Sequence, residues 1–124
     1  MNKEYIKNIY LHIKETLADF SSTQRQYIYK TNVPFVHIPL ELFEQWSTYT
    51  SEVFNSQWFS METSENCVKR INNLDKTIQK FLKDTNHDYE DIPEIFDDYR
   101  WIDIGEKAKE LLDFLNDEDC LSIV

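Results

Sequence analysis

Residues 67–82, CVKRINNLDKTIQKFL, place apolar side chains at the three- and four-residue steps of an α-helix. The lysines and the arginine of this stretch fall on the other faces, which is the pattern of a helix that buries one side in a core. Thr63 or Ser64 can cap its N-terminus. The stretch therefore predicts a core-facing helix, whose apolar stripe consists of Cys67, Ile71, Leu74, Ile78, Phe81 and Leu82.

Three other stretches are predicted to be helical. Residues 2–19 form the first of them, with an apolar stripe of Ile6, Ile9, Ile13, Leu17 and Phe20. Residues 39–59 begin with a proline, which suits the first position of a helix, and their stripe is Leu42, Trp46, Tyr49 and Val53. The last helix is predicted over residues 104–115, because Asp103 and Glu106 have the spacing of a capping box.

One glycine and three prolines among 124 residues leave few of the tight turns that an all-β sandwich needs. A chain of this length is most simply one domain. We therefore expect a single all-α domain over residues 1–124, built as a bundle of about four helices. Residues 24–38 leave two alternatives open. They form a short hairpin or extended insertion, or Ser22 caps a short helix that ends near Tyr29.

The net charge of −10 is concentrated in the last third of the sequence. Residues 1–83 contain nine acidic and ten basic side chains, whereas residues 84–124 contain fourteen acidic and three basic ones. Such a local field attracts cationic surfaces and repels nucleic acid and anionic membranes. A partner with a basic surface is therefore expected, with no direct binding of nucleic acid or membrane. Plain solubility is the alternative explanation of the same charge.

Residues 84–103, DTNHDYEDIPEIFDDYRWID, combine eight carboxylates with seven large apolar or aromatic side chains. Disordered acidic tails lack so many apolar groups, and a buried segment cannot hold so many unpaired charges. A folded surface segment fits both facts, and Tyr, Trp and Arg are frequent interface anchors. The predicted partner-binding residues are Asp88, Tyr89, Glu90, Asp91, Glu94, Asp97, Asp98, Tyr99 and Trp101.

Motifs for catalysis, metal binding and cofactor binding are weak or missing in the sequence. Asp84, Asn86 and Asp88 have the spacing of the first ligands of a calcium-binding EF-hand loop, but Tyr89 replaces the required glycine and Ile95 the required glutamate. The three histidines share no metal-ligand spacing with each other or with a cysteine. The single glycine leaves no phosphate-binding loop, and no nucleophile lies in a recognisable setting. No enzyme activity, metal or cofactor is therefore expected.

Two cysteines, Cys67 and Cys120, belong to no motif. Cys67 falls on an apolar stripe and is expected to be a buried, reduced and unreactive thiol. The N-terminal residues lack the apolar run of a signal peptide, and no stretch approaches the length of a membrane span. A cytoplasmic protein is therefore expected.

Acidity, small size and helical periodicity together favour a protein that masks a basic active site. In this general character, and not through a motif, the chain resembles the small acidic immunity proteins of bacteriocin and contact-dependent inhibition systems. The resemblance implies a bacterial protein that neutralises a nuclease toxin, whose phosphate-binding cleft is basic. A phage-type or DNA-mimic antagonist of a DNA-binding protein, or a regulatory subunit of a larger assembly, is the alternative function, and an enzyme is the third. The oligomeric state does not follow from the sequence.

Overall fold

A computed structural model describes residues 3–56, 61 and 63–117 of the chain. Helices account for most of these residues, which confirms the predicted all-α class. None of the helices in this part of the chain is both long and apolar enough to cross a lipid bilayer. The α-helices are α1 (Lys3–Ser21), α2 (Thr23–Asn32), α3 (Ile38–Phe54), α4 (Glu65–Asp84) and α5 (Tyr99–Asp117), and a 3-10 helix spans Glu94–Asp97.

Helix α1 packs against α2, α3 and α5, and α4 packs against α5. The backbones of α1 and α5 approach closely at Gly105, where a Cβ atom would lie 3.1 Å from the Phe20 carbonyl oxygen. The lack of a side chain at Gly105 permits this approach. Around the contact the helices bury a core whose fully enclosed members include Ile13, Leu17, Ile38, Leu42, Trp46, Ile71, Ile78, Ile104 and Leu115.

The connection between α1 and α3 is helical over Thr23–Asn32 and turns over residues 33–37, so the hairpin alternative for residues 24–38 is wrong and the short-helix alternative is confirmed. Ser22 caps α2, because its Oγ accepts a hydrogen bond from the Arg25 backbone N–H at 3.1 Å. The buried Gln26 side chain donates to the Asp19 carbonyl oxygen at 2.8 Å and joins α2 to the end of α1. These polar contacts hold a helix whose own apolar pattern is weak.

Helix α3 includes Pro39 in its first turn, as the sequence predicts. Its last residue is Phe54, so the helix ends earlier than expected, and residues 57–59 of the predicted helix lie outside the described residues. Inside the bundle, the Trp46 Nε1–H donates to Asp75 Oδ1 at 2.9 Å and joins α3 to α4. A buried indole N–H usually finds such a partner.

Helix α4 follows its predicted apolar stripe, and Ser64 is the cap, because its Oγ accepts a hydrogen bond from the Cys67 backbone N–H at 3.3 Å. Cys67 is buried, as expected. The expectation of a free thiol at Cys67 is wrong, however, since this residue is disulfide-bonded. Pairing depends on the distance between two Cβ atoms in the fold, which the sequence does not contain. The other cysteine of the sequence, Cys120, lies outside the described residues.

Helix α5 begins at Tyr99, five residues before the predicted start at Ile104. Asp98 provides the cap, because its Oδ1 accepts a hydrogen bond from the Arg100 backbone N–H at 2.9 Å. Asp103, the expected cap, lies inside the helix instead. Both aspartates precede apolar residues, so spacing alone does not decide which of them caps the helix.

Candidate partner-binding surface

The acidic segment, residues 84–98, leads from the end of α4 to the start of α5. It starts with a reversal of the chain, in which Asn86 and His87 have φ angles of 53° and 57°. Asn tolerates this left-handed conformation better than most residues. The His87 N–H donates to the Leu82 carbonyl oxygen at 2.9 Å and closes the helix end. The residues that follow reach α2 and α3.

Asp91 fastens the acidic segment to α2 and α3. Its carboxylate accepts hydrogen bonds from Lys30 Nζ at 2.7 Å, from the Ile38 backbone N–H at 3.0 Å and from the Ile92 backbone N–H at 2.7 Å. Burial acts to raise the pKa of Asp91, but these hydrogen bonds outweigh burial and hold the pKa below its ordinary value. Asp91 is therefore engaged within the fold, and its carboxylate is not free to bind a partner.

Tyr89 is half-buried, whereas the sequence favours an exposed contact residue at this position. Its ring packs against the rings of Phe43, Phe81 and His37, at centroid distances of 5.4, 5.5 and 5.6 Å. Burial raises the pKa of the Tyr89 phenol. The Tyr89 ring is half-buried although its neighbours in sequence are acidic, because three other rings of the fold lie within packing distance of it. Tyr89 is therefore mainly a packing residue.

Asp98 and Trp101, two further predicted partner-binding residues, also serve the fold. The Arg100 side chain donates to both carboxylate oxygens of Asp98, at 3.0 and 2.7 Å, and it is the main cause of the lowered pKa of Asp98. Trp101 is 4% exposed and packs beside Phe20 and Phe43, at centroid distances of 5.8 and 5.7 Å. Because α5 begins early enough to turn Trp101 into the core, this side chain cannot reach a partner.

Four predicted acids remain at the surface: Asp88, Glu90, Glu94 and Asp97 are exposed, and none has an ion pair with another described residue. Three of them line one shallow concavity of about 310 Å³, which we call the acidic concavity: Asp88, Glu90 and Glu94. Neighbouring carboxylates repel one another, so a cationic group that enters the concavity replaces repulsion with attraction. The acidic concavity is thus suited to lysine and arginine side chains, which donate to carboxylates.

A second concavity, of about 440 Å³, lies between α4 and α5, and Arg100 lines both concavities. Tyr99 and Ile102 line this second concavity and are 78% and 46% exposed. The predicted exposure of Tyr99 is therefore confirmed. Large exposed side chains of this type beside charged groups are typical of interface anchors.

Two exposed side chains near Phe96 are not among the predicted partner-binding residues: Ile102, which lines a groove together with Phe96, and Tyr27. A helix that starts at Tyr99 turns Trp101 inward and Ile102 outward, so the correct helix start would have identified Ile102. Tyr27 on α2 contacts Phe96, which packs onto the bundle, with ring centroids 5.4 Å apart. No signal in the sequence indicates this contact, because it joins two distant segments.

The part of the chain that the structure describes contains no group of three or more His, Cys, Asp or Glu side chains that could hold a metal ion. The surface around the two concavities carries carboxylates beside exposed apolar side chains. Comparisons of the chain with protein-family models, with curated proteins and with solved structures found no match. The function is therefore inferred from the chemistry of this surface.

Proposed function

We propose that this chain binds and neutralises a basic protein partner, as an immunity protein that inhibits a bacterial nuclease toxin by masking its basic active site. The observation that carries the proposal is the acidic concavity, where Asp88, Glu90 and Glu94 are exposed together. Binding, and not catalysis, is the proposed role. Catalytic carboxylates need partly desolvated and unequal environments, whereas these three carboxylates lie in water.

The partner's chemistry follows from the charge of the concavity. A nuclease cleft is basic because it has to bind the phosphate backbone of nucleic acid. Lysine and arginine side chains that normally contact phosphates can donate to carboxylates instead. In this proposal the carboxylates occupy the positions of substrate phosphates and exclude the substrate. The negative charge of residues 84–124 speeds the encounter, since complementary fields raise association rates.

Exposed apolar side chains supply the second component of binding. Solvated ion pairs contribute little free energy, so charge alone does not hold a partner for long. Tyr99 and Ile102 line the adjoining concavity, and an exposed tyrosine that enters a partner's pocket slows dissociation. Because Arg100 lines both concavities, one partner surface can contact the acids and the apolar side chains together.

The test uses the purified chain as bait in extracts of cells that carry its gene and the neighbouring genes. We expect a basic protein to be retained at low salt and released as the salt concentration rises, since exposed ion pairs are screened. The retained protein is then assayed for cleavage of DNA and RNA with and without an equimolar amount of the chain.

Inhibited cleavage supports the proposal. A retained DNA-binding protein that cleaves nothing would instead support the antagonist alternative. A retained protein without a basic surface, whose binding does not depend on salt, would overturn the proposal.

A cytoplasmic location is part of this proposal, because an inhibitor of a nuclease has to act where nucleic acid is. The disulfide at Cys67 is unusual for a reducing cytosol. Alkylation of thiols in denaturant at the moment of cell lysis, followed by peptide mass mapping, distinguishes the compartments. A disulfide-linked Cys67 peptide is the state that the structure shows and would overturn the cytoplasmic location, whereas alkylated Cys67 would show that the bond does not form in the cell and would support this location.

A further inference from the structure

Residues 33–37, VPFVH, connect α2 to α3 and place four consecutive apolar residues in a surface turn, which we call the Phe35 turn. None of these four apolar side chains is buried. Phe35 is 89% exposed, more than any other large apolar side chain among the residues that the structure describes. Turns are usually built from polar residues and glycine, and a run of exposed apolar residues is unfavourable in water unless it serves a function. The stability of the fold does not account for a phenylalanine at this position.

Hydrogen bonds hold the Phe35 turn in one conformation. The Val33 N–H donates to the Tyr29 carbonyl oxygen at 2.9 Å, and the Val36 N–H donates to the Val33 carbonyl oxygen at 3.1 Å. Lys30 Nζ donates to the Val36 carbonyl oxygen at 2.6 Å. The exposure of Phe35 is therefore a property of an ordered turn. A side chain on a preorganised turn loses little conformational freedom on binding, which favours its use as a binding anchor.

His37 and Lys30 join the Phe35 turn to the acidic segment. His37 Nδ1 accepts a hydrogen bond from the Leu40 backbone N–H at 3.2 Å, so the proton of the neutral ring is on Nε2. His37 Nε2 donates to the Tyr89 carbonyl oxygen at 3.3 Å. Lys30, which donates to the turn, also binds the acidic segment through its ion pair with Asp91. Since Tyr89 lines the acidic concavity, the turn and the concavity are neighbours.

Phe35 and the acidic concavity are close enough to contact one partner. Phe35 is two residues from His37, so their Cα atoms are at most about 7 Å apart, and the His37 ring reaches Tyr89. A standard interface covers roughly 800 Å² of each protein, which is a patch about 30 Å across. One partner surface can therefore contact Phe35 and the carboxylates of the concavity at the same time.

We propose that Phe35 inserts into an apolar pocket of the basic partner, beside the cationic groups that the acidic concavity binds. This inference rests on the proposed function, because it adds a second contact to the same interface. Aromatic side chains are enriched in the buried centres of interfaces. A phenylalanine that leaves water on binding contributes free energy that salt does not screen. Phe35 thus holds the partner that the carboxylates attract.

Charge complementarity and the contacts to the acidic segment select this partner. Glu44 on α3 is exposed and lies close to Tyr89, since burial first and the Glu44 charge second raise the pKa of the Tyr89 phenol. Exposed acids therefore lie on two elements beside the Phe35 turn: Glu44 on α3 and Glu90 in the acidic segment. An anionic membrane or a second copy of this acidic chain would meet like charges here, whereas a protein with basic groups around an apolar pocket gains attraction.

Site-specific photo-cross-linking tests the contact. The cross-linkable amino acid p-benzoylphenylalanine replaces Phe35 in one form of the full chain, Glu94 of the acidic concavity in a second and Leu11 in a third. Each form is expressed in cells that carry the neighbouring genes and is then irradiated. We expect the forms labelled at positions 35 and 94 to cross-link to the same basic protein. Leu11 lies on α1 and is 52% exposed, so the form labelled there is the control and should not cross-link to that protein.

The positions of the cross-links distinguish this inference from the proposed function. A basic protein cross-linked at position 94 and not at position 35 would overturn the Phe35 contact and leave the proposed function in place. A basic protein cross-linked at position 35 and not at position 94 would support the Phe35 contact and contradict the role of the acidic concavity. The absence of a cross-link at position 35, or a cross-link there to lipid, to a second copy of the chain or to a protein without a basic surface, would overturn the inference.

Phe35→Ala measures the strength of the contact with the cross-linked protein. We expect this variant to dissociate at least about tenfold faster than the wild type and to associate within about twofold of the wild-type rate, since the loss of an apolar anchor acts mainly on dissociation. The effect should persist at high salt, because an apolar contact is not screened. Surface plasmon resonance measures both rate constants, and circular dichroism checks that the helix content is unchanged. Leu11→Ala is the control, and a dissociation rate of Phe35→Ala equal to that of this control would overturn the inference.

Discussion

Lys30 and Asp91, which are 61 positions apart in the sequence, form an ion pair with 2.7 Å between Lys30 Nζ and Asp91 Oδ2. This pair ties the acidic segment to α2. The acids of the segment fall into two groups, of which the first, Asp84, Asp91 and Asp98, is paired with cations of the fold. Asp91 and Asp98 make hydrogen bonds that hold the fold together. The second group faces water and carries the proposed partner contact: Asp88, Glu90, Glu94 and Asp97.

Asp91→Ala should lower the free energy of unfolding by roughly 2–3 kcal/mol, because it removes the acceptor of the Ile38 and Ile92 N–H groups and the anion of Lys30. Urea-induced unfolding followed by circular dichroism measures this change. Asp97→Ala removes an exposed acid and is the control, with an expected change of less than about 0.5 kcal/mol. If the two substitutions lowered the free energy of unfolding equally, Asp91 would contribute no more to stability than an exposed acid does.

Acid should destabilise the fold through Asp91 and Asp98. The pKa of Asp91 is lowered because its hydrogen bonds outweigh burial, and the pKa of Asp98 is lowered chiefly by the Arg100 side chain. Their contribution to stability is complete above the unfolded-state pKa of about 3.9. It is lost as the pH falls through their lower folded-state pKa values.

The free energy of unfolding, measured by urea titration at a series of pH values, should therefore fall mainly below about pH 4. A double variant, Asp91→Asn with Asp98→Asn, should lose less stability over the same pH interval. An unchanged pH dependence in the double variant would exclude these two carboxylates as its cause.

Gly105→Ala tests the close approach of α1 and α5. Helix propensity alone would make alanine more stable than glycine by about 1 kcal/mol. At this position, however, the new Cβ would lie 3.1 Å from the Phe20 carbonyl oxygen, so one backbone has to shift. We expect no gain in the melting temperature for Gly105→Ala, and a loss of about 1–3 kcal/mol in unfolding free energy for Gly105→Val. If Gly105→Ala gained the whole stability that helix propensity predicts, the close contact between α1 and α5 would be contradicted.

The long helices could be predicted from the sequence because their apolar stripes repeat over several turns. The α1 and α4 stripes have this length, and both helices are found close to their predicted positions. Helix α2 could not be distinguished from a hairpin, since Gln26 is the residue that it buries and a serine cap holds its start. Capping and tertiary contacts leave no periodic signal in a stretch of ten residues.

The candidate surface could be located from the sequence, but its individual residues could not. Net charge is a sum over a segment, so the position of the acidic excess is visible in the sequence. Whether one acid is free depends on cations that only the fold brings near, as Lys30 is brought to Asp91. The burial of Trp101 likewise depends on where α5 begins, and the sequence offers Asp98 and Asp103 as equivalent caps.

Tyr99→Ala should weaken binding of the basic partner by roughly 2 kcal/mol or more, mainly through faster dissociation, if Tyr99 enters a pocket of that partner. Stability should be unchanged, because Tyr99 is 78% exposed. Surface plasmon resonance with the protein retained by the bait measures both rate constants. Leu11→Ala removes an exposed apolar side chain from α1 and is the control. An unchanged dissociation rate for Tyr99→Ala would remove Tyr99 from the interface.

The acidic concavity is tested most directly by comparing two variants that lose the same charge at different places. The first variant combines Asp88→Asn, Glu90→Gln and Glu94→Gln. The control variant neutralises three exposed acids outside the acidic segment by Glu65→Gln, Glu110→Gln and Asp117→Asn. Both variants lose three negative charges, so any difference between them reports the position of the charge and not its sum.

The measured quantity is the association rate constant with the retained basic protein at low and high salt. We predict that the concavity variant associates at least about tenfold more slowly than the wild type at low salt, with a weaker dependence on salt. The control variant should stay within about twofold of the wild type, since distant charges are screened. Equal slowing of the two variants would show that net charge alone guides the encounter, and would contradict the acidic concavity as the partner-binding site.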